Sequence, residues 1–120
     1  MPVNNQDLTL QGTPRFSEDT DSDGTAENDI NSGAATLYFI AAQNNNSSSN
    51  FFKCWNNASP TVGTTTPVLV FRCSANSSPI LASAFGISFA TALSTGMVSA
   101  GGTGGTTSPT NSVRVVLSLD

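Results

Sequence analysis

A chain of 120 residues with 38% hydrophobic content has room for one core and not for two. Charged residues make up only 10% of it, the net charge is −4, and the four cations are scattered at Arg15, Lys53, Arg72 and Arg114, so no basic patch is expected for a run of phosphates. Histidine is absent, which removes Ser-His-Asp and Cys-His catalysis and the commonest zinc ligands; the chain reads as a non-enzyme with no nucleic-acid partner and no cofactor.

The first residues, Met1 to Asn5, have neither the basic nor the apolar region of a secretory signal, and no apolar run approaches the roughly 20 residues that span a bilayer. The expectation is a protein made in a cytosol, without a membrane partner. The Asn-x-Ser sequons at Asn45, Asn46, Asn57 and Asn76 then read as chance in an Asn/Ser-rich chain.

Residues 1–33 read as an N-terminal arm and acidic loop, and residues 34–120 as the folded domain. The arm holds one short predicted strand, Asp7 to Gln11, with Leu8, Leu10 and Phe16 as its apolar anchors. A segment this polar cannot offset about 1–2 kcal/mol of ordering entropy per residue through its own contacts, so a partner is expected to hold it. Residues 18–33 carry six of the eight acidic groups and read as a solvated loop, with at most a short strand over Thr25 to Ile30. Within it Asp19-x-Asp21-x-Asp23-Gly24 copies the first half of a calcium loop, in which alternate carboxylates converge on the ion. The second half is missing, because the twelfth position is Ile30 and not glutamate. Asp19, Asp21 and Asp23 are thus a weak calcium candidate, and a plain solvated face is the simpler reading.

Thr36 to Gln43 is the first strong predicted strand, with Leu37, Phe39 and Ala41 on one face. The polar run Asn44 to Asn50 is a hairpin loop into FFKCWN, where Phe51, Lys53 and Trp55 share one face and Phe52, Cys54 and Asn56 the other. Lys53, the only lysine, reads as snorkelling beside Trp55. Val68 to Cys73 is apolar nearly throughout, which predicts a central strand covered on both faces. Between these runs, Pro60 and Pro67 fix φ twice and Gly63 allows a positive φ, so the connector is expected to be ordered. A hairpin around it sets Cys54 opposite a residue near Val68 to Val70 and leaves Cys73 several residues away, so both cysteines read as buried thiols.

Beyond Cys73, Ile80 to Ala82 precedes Phe85 to Ala92, in which Phe85, Ile87 and Phe89 alternate with small residues on a half-buried face. Gly96 to Ala100 suggests another strand. Gly101 to Thr110 is a Gly/Thr/Ser loop; no lysine and no helix follow its glycines, so a phosphate cradle is not expected. Val113, Val115, Leu117 and Leu119 share a face of the closing strand. Phe39, Trp55, Val70, Phe89 and Val115 are the expected buried set. Strands recur without any amphipathic helical pattern, which predicts an all-β, antiparallel β-sandwich, jelly-roll-like, with an extended N-terminal arm.

Phe52 to Asn56, Ala58 to Val68, Val68 to Cys73, Gly86 to Thr91 and Val113 to Leu119 together carry a resemblance. The order Lys-x-aromatic-Asn, then Ala-x-Pro-Thr-Val-Gly-Thr-x-Thr-Pro-Val, then Gly-aliphatic-x-Phe-x-Thr, is similar to that of small tailed-phage virion proteins of the head decoration, or cement, type. The likeness covers about residues 34–120 and departs from the family pattern at Cys54, Phe71, Cys73 and Gly101 to Gly105. It implies a structural protein that binds the outer surface of the major capsid protein lattice as a homotrimer and stabilises the head. Thr61, Thr64, Thr65 and Thr66, with Leu8, Leu10 and Phe16, would then meet the capsid or a neighbouring subunit. A tail, baseplate or fibre protein is the alternative. A carbohydrate-binding module is third, and of its aromatics only Tyr38 and Trp55 could line a cleft.

Overall fold

The structure, a computed structural model, describes residues 15–120. Among these described residues seven strands follow one another without an intervening helix: β1 (Arg15–Ser22), β2 (Ala35–Gln43), β3 (Asn50–Asn56), β4 (Leu69–Cys73), β5 (Ile80–Phe89), β6 (Leu93–Val98) and β7 (Val113–Leu119). They form two antiparallel sheets, β1-β7-β2-β5 and β4-β3-β6. One core joins the sheets: Leu37, Ile40, Val115 and Leu117 from the first meet Phe52, Cys54 and Met97 from the second. The β7 alternation holds, with Val113, Val115, Leu117 and Leu119 all buried. Leu8, Leu10 and the predicted strand Asp7 to Gln11 lie outside the described residues.

Arg15 to Ser22, assigned from their polarity to arm and acidic loop, form β1 and pair with β7 from Arg15–Leu119 to Ser22–Val113. Polarity misleads here because β1 is an edge strand, needing only main-chain partners and one inward row. Phe16 points away from the sheet interior and is 73% exposed.

Two bulges overturn the simple alternation. In β2 the register shifts between Leu37 and Phe39, so Leu37, Ile40 and Ala42 are buried and Phe39 is only half-buried. One extra residue moves every later side chain to the opposite face. In β5 the partner of Leu37 is Ile87 and that of Phe39 is Ala82, so the chain between Ala82 and Ile87 is looped out against β2. Gly86 sits in that irregularity at φ 80°, and a Cβ there would stand 2.3 Å from Thr36 Cγ2 and 2.9 Å from Tyr38 Cε1. Only glycine fits under the Tyr38 ring. The same irregularity throws Phe85 outward to 96% exposure, against the half-buried face predicted for it.

β3, not β4, is the central strand of the smaller sheet. The apolar run Val68 to Cys73 forms an edge strand, in which Leu69, Phe71 and Cys73 turn inward and Val70 is 38% exposed. Cys54 stands opposite Leu69 and Cys73 opposite Asn50, so the thiols are four residues out of register and both are free and buried. Burial pushes the Cys73 thiol up to about 11 and the Cys54 thiol higher still, which keeps both as unreactive hydrophobes.

The outer face of β3 is covered by loops. Trp55 is buried there and outside the inter-sheet core, its Nε1 donating to Thr65 O at 2.9 Å. Thr61 O accepts from Thr64 N and Thr65 N, Thr65 Oγ1 accepts from Thr61 N, and Gly63 takes φ 91° at the apex, so the connector is ordered around its own threonines. Lys53 does not snorkel. It is buried, and its Nζ donates to Gly102 O and, at 3.5 Å, to Gly105 O, so the glycine-rich loop is tied down by the chain's one lysine. Burial also holds the Lys53 ammonium below the usual lysine range.

Trp55→Ala should lower the unfolding free energy by about 3–5 kcal/mol in denaturant titration, because a large buried ring and its bond to Thr65 are lost together; a loss near zero would mean that the connector packs without it. Lys53→Met keeps the aliphatic stem in place, so hydrogen exchange at the Gly105 amide should accelerate while the global midpoint moves little. Unchanged exchange would show that the loop holds itself.

Candidate functional site

The strongest concentration of chemistry lies where β1 meets the open edge of the smaller sheet. β1 presents Asp19 and Asp21, and the segment after it returns to pair with β6 through Glu27 N to Thr95 O at 2.8 Å and Thr95 N to Glu27 O at 3.0 Å. That bridge carries the Glu27 carboxylate across to β1. Asp19, Asp21 and Glu27 thus offer oxygens all within 4.8 Å of one another. They rim a cavity of about 230 Å³ whose floor includes Phe52, Val115 and Leu117 of the core.

Asp23 is not part of this group. Its Oδ1 accepts Thr25 N at 2.9 Å in a turn and its carbonyl accepts Met97 N at 2.7 Å. The calcium-loop pattern therefore identified two of the three clustered carboxylates and missed Glu27. No local signal marks Glu27, since a main-chain bridge to a residue far along the chain brings it in.

Asp19 carries the strain of the arrangement. Its Oδ1 accepts Asp21 N at 3.2 Å, while Oδ2 is buried without a hydrogen-bond partner among the described residues. Burial pushes its carboxyl up to about 6, and the neighbouring Asp21 and Glu27 add to the rise against the bond from Asp21 N. Two like charges at about 4 Å repel by roughly 1 kcal/mol in water and more where water is partly excluded. A proton on Asp19 relieves that repulsion, and so would a divalent cation with hard oxygen ligands. Catalysis would need a partner of opposite character, and Arg114 of the neighbouring strand pairs instead with Glu18 on the exposed face of the sheet.

Of the other residues singled out from the sequence, Thr61 and Thr65 are engaged within the connector and Thr64 and Thr66 are exposed on it. Tyr38 is half-buried over Gly86 and Trp55 is buried, so the two aromatics do not form a shared cleft.

Because the folded pKa of Asp19 lies above its unfolded value near 4, the native state binds more protons in between, and stability falls as pH rises from about 4 to about 6. Asp19→Asn should flatten that slope and raise the thermal midpoint at neutral pH, as followed by calorimetry across pH. A midpoint lowered at pH 7 would mean that the charged carboxylate is a stabilising group. Millimolar calcium should raise the wild-type midpoint and leave that of Asp19→Asn unmoved if the three carboxylates hold the ion; equal response of both proteins counts against it. No family model, no curated protein and no solved structure matches this chain.

Proposed function

We propose that this protein is a structural virion component of a tailed phage, a decoration protein that binds the outer surface of the major capsid protein lattice and stabilises the head. The observation that carries the reading is the outer strand β5. Its ten residues, Ile80 to Phe89, contain no charged side chain, they form the edge of the four-stranded sheet, and Phe85 stands 96% exposed on them. Proteins usually guard a long sheet edge with charges, because unpaired main-chain groups template association. An uncharged edge carrying a solvent-facing aromatic suits a surface that is covered in use. Gly86, whose missing side chain creates the Phe85 protrusion, opens the Gly-aliphatic-x-Phe-x-Thr stretch on which the resemblance to head decoration proteins partly rests.

The same reading includes a homotrimer on the shell, a jelly-roll-like completion of the two sheets, and an N-terminal arm held by neighbours, with Leu8 and Leu10 as its anchors and Phe16, exposed on β1, as a contact beside it. Because residues 15–22 belong to β1, this reading leaves residues 1–14 for the arm. Weak contacts repeated over a symmetric shell add up to lattice stability even when each is modest. Attachment to a tail, baseplate or fibre would use the same adhesive edge.

Gold-labelled antibody on purified virions separates these locations: label over the heads is expected, and label confined to tails would transfer the reading to the alternative. Phe85→Asp should leave the unfolding midpoint unchanged and weaken binding to undecorated heads at least tenfold, about 1.4 kcal/mol. Wild-type binding by that variant would rule out β5 as the contact face. Deleting residues 1–14 should leave a folded domain that no longer decorates, and full binding by the truncated chain would remove the arm from the proposal.

A further inference from the structure

A second concavity, away from both β5 and the acidic cluster, lies between the loop after β2 and the segment before β7. It measures about 210 Å³, and every side chain lining it is Asn, Ser or Thr. We propose that this cleft is a binding site for a single neutral sugar ring.

The walls of the cleft are rigid. Asn46 and Asn111 clamp the two walls together with a reciprocal pair, Asn111 N to Asn46 Oδ1 at 2.7 Å and Asn46 Nδ2 to Asn111 O at 2.8 Å. Asn44, fully buried, donates to Cys73 O and Ser74 O and accepts from Asn46 and Asn50, so the loop beneath the cleft is tied to β4. Ser99 N donates to Thr107 O at 2.8 Å, and Ser108 Oγ accepts Gly24 N at 2.9 Å. These bonds fix the walls before any ligand arrives, which lowers the ordering cost of binding.

The lining is polar and neutral. Both Asn46 donors are spent on Asn44 and Asn111, and Asn50 is bonded beneath the loop, so the groups left for a ligand are the exposed serine and threonine hydroxyls, which donate and accept and can pair with ring hydroxyls in either sense. Ionised groups are absent from the lining, which leaves a phosphate or carboxylate without a counter-charge. Apolar side chains are absent too, so a lipid chain or an aromatic ligand would gain little there. The methyls of Thr107 and Thr110 are the apolar surface available to a sugar's C–H face. The volume admits one ring and not an extended chain. Without an aromatic platform the affinity should be weak, with Kd about 1 mM.

The site stands independently of the capsid reading, since none of its lining residues belongs to β5. The test is a titration of the full chain, followed by amide chemical shifts, with the methyl glycosides of glucose, galactose and mannose, with N-acetylglucosamine, and with inorganic phosphate as the charged control. At least one sugar should give saturable shifts confined to residues 46–50, 99 and 107–111, and phosphate none. The double variant Thr107→Val, Thr110→Val should abolish those shifts at an unchanged unfolding midpoint. The proposal is overturned by the absence of saturable shifts with every sugar, by shifts centred on Tyr38 or Phe85, or by shifts that survive in the double variant.

Discussion

Two donors on the outer face of β3 hold in place the loops that cover it. Trp55 Nε1 and Lys53 Nζ each reach a main-chain carbonyl in a long loop, Thr65 O in the connector and Gly102 O in the glycine-rich segment. Loops of that composition have few apolar groups with which to bury themselves, and their carbonyls would otherwise stay with water. By docking on β3 they give a three-stranded sheet a second covered face, so Phe52, Lys53, Cys54 and Trp55 are all buried in one strand. The arrangement requires a donor on both outward positions. An aliphatic residue at either would cover area and hold no loop.

The same economy runs through the rest of the fold. With few charges available, neutral amides carry the tertiary polar contacts: Asn44, Asn46 and Asn50 are buried, and their bonds join the loop after β2 to β4 and to the segment before β7. Amide groups cost less to desolvate than ions and can both donate and accept, so a buried set of them can be satisfied locally. The exposed Arg114–Glu18 pair across β7 and β1 contributes little by comparison.

The acidic cluster runs against this pattern. Asp19, Asp21 and Glu27 converge beside core residues, and the carboxyl of Asp19 is raised first by its burial and further by its two acidic neighbours. A surface designed only for solubility would spread those charges. Their convergence is what makes the edge between β1 and Glu27 chemically distinct from the uncharged β5 edge at the other end of the same sheet.

Period-two patterning and turn chemistry were enough to place most strands. β2, β3, β4 and β7 lie where the apolar runs of the sequence put them, the buried face of β7 follows its alternation residue by residue, and Gly63 takes the positive φ that its connector demands. Asp19 and Asp21 were legible as neighbours for the same local reason. Burial at Phe39, Val70 and Phe85 was not legible, because a bulge reverses the faces of a strand without altering its composition, and because an apolar run does not say whether it will be central or at an edge. Glu27 joins the cluster, Lys53 anchors the glycine loop and β1 enters the sheet through main-chain partners distant in sequence. Local sequence therefore determined which segments extend and which turn; only the tertiary structure decided which edge is left bare and which polar groups meet, since both depend on strand order and on register.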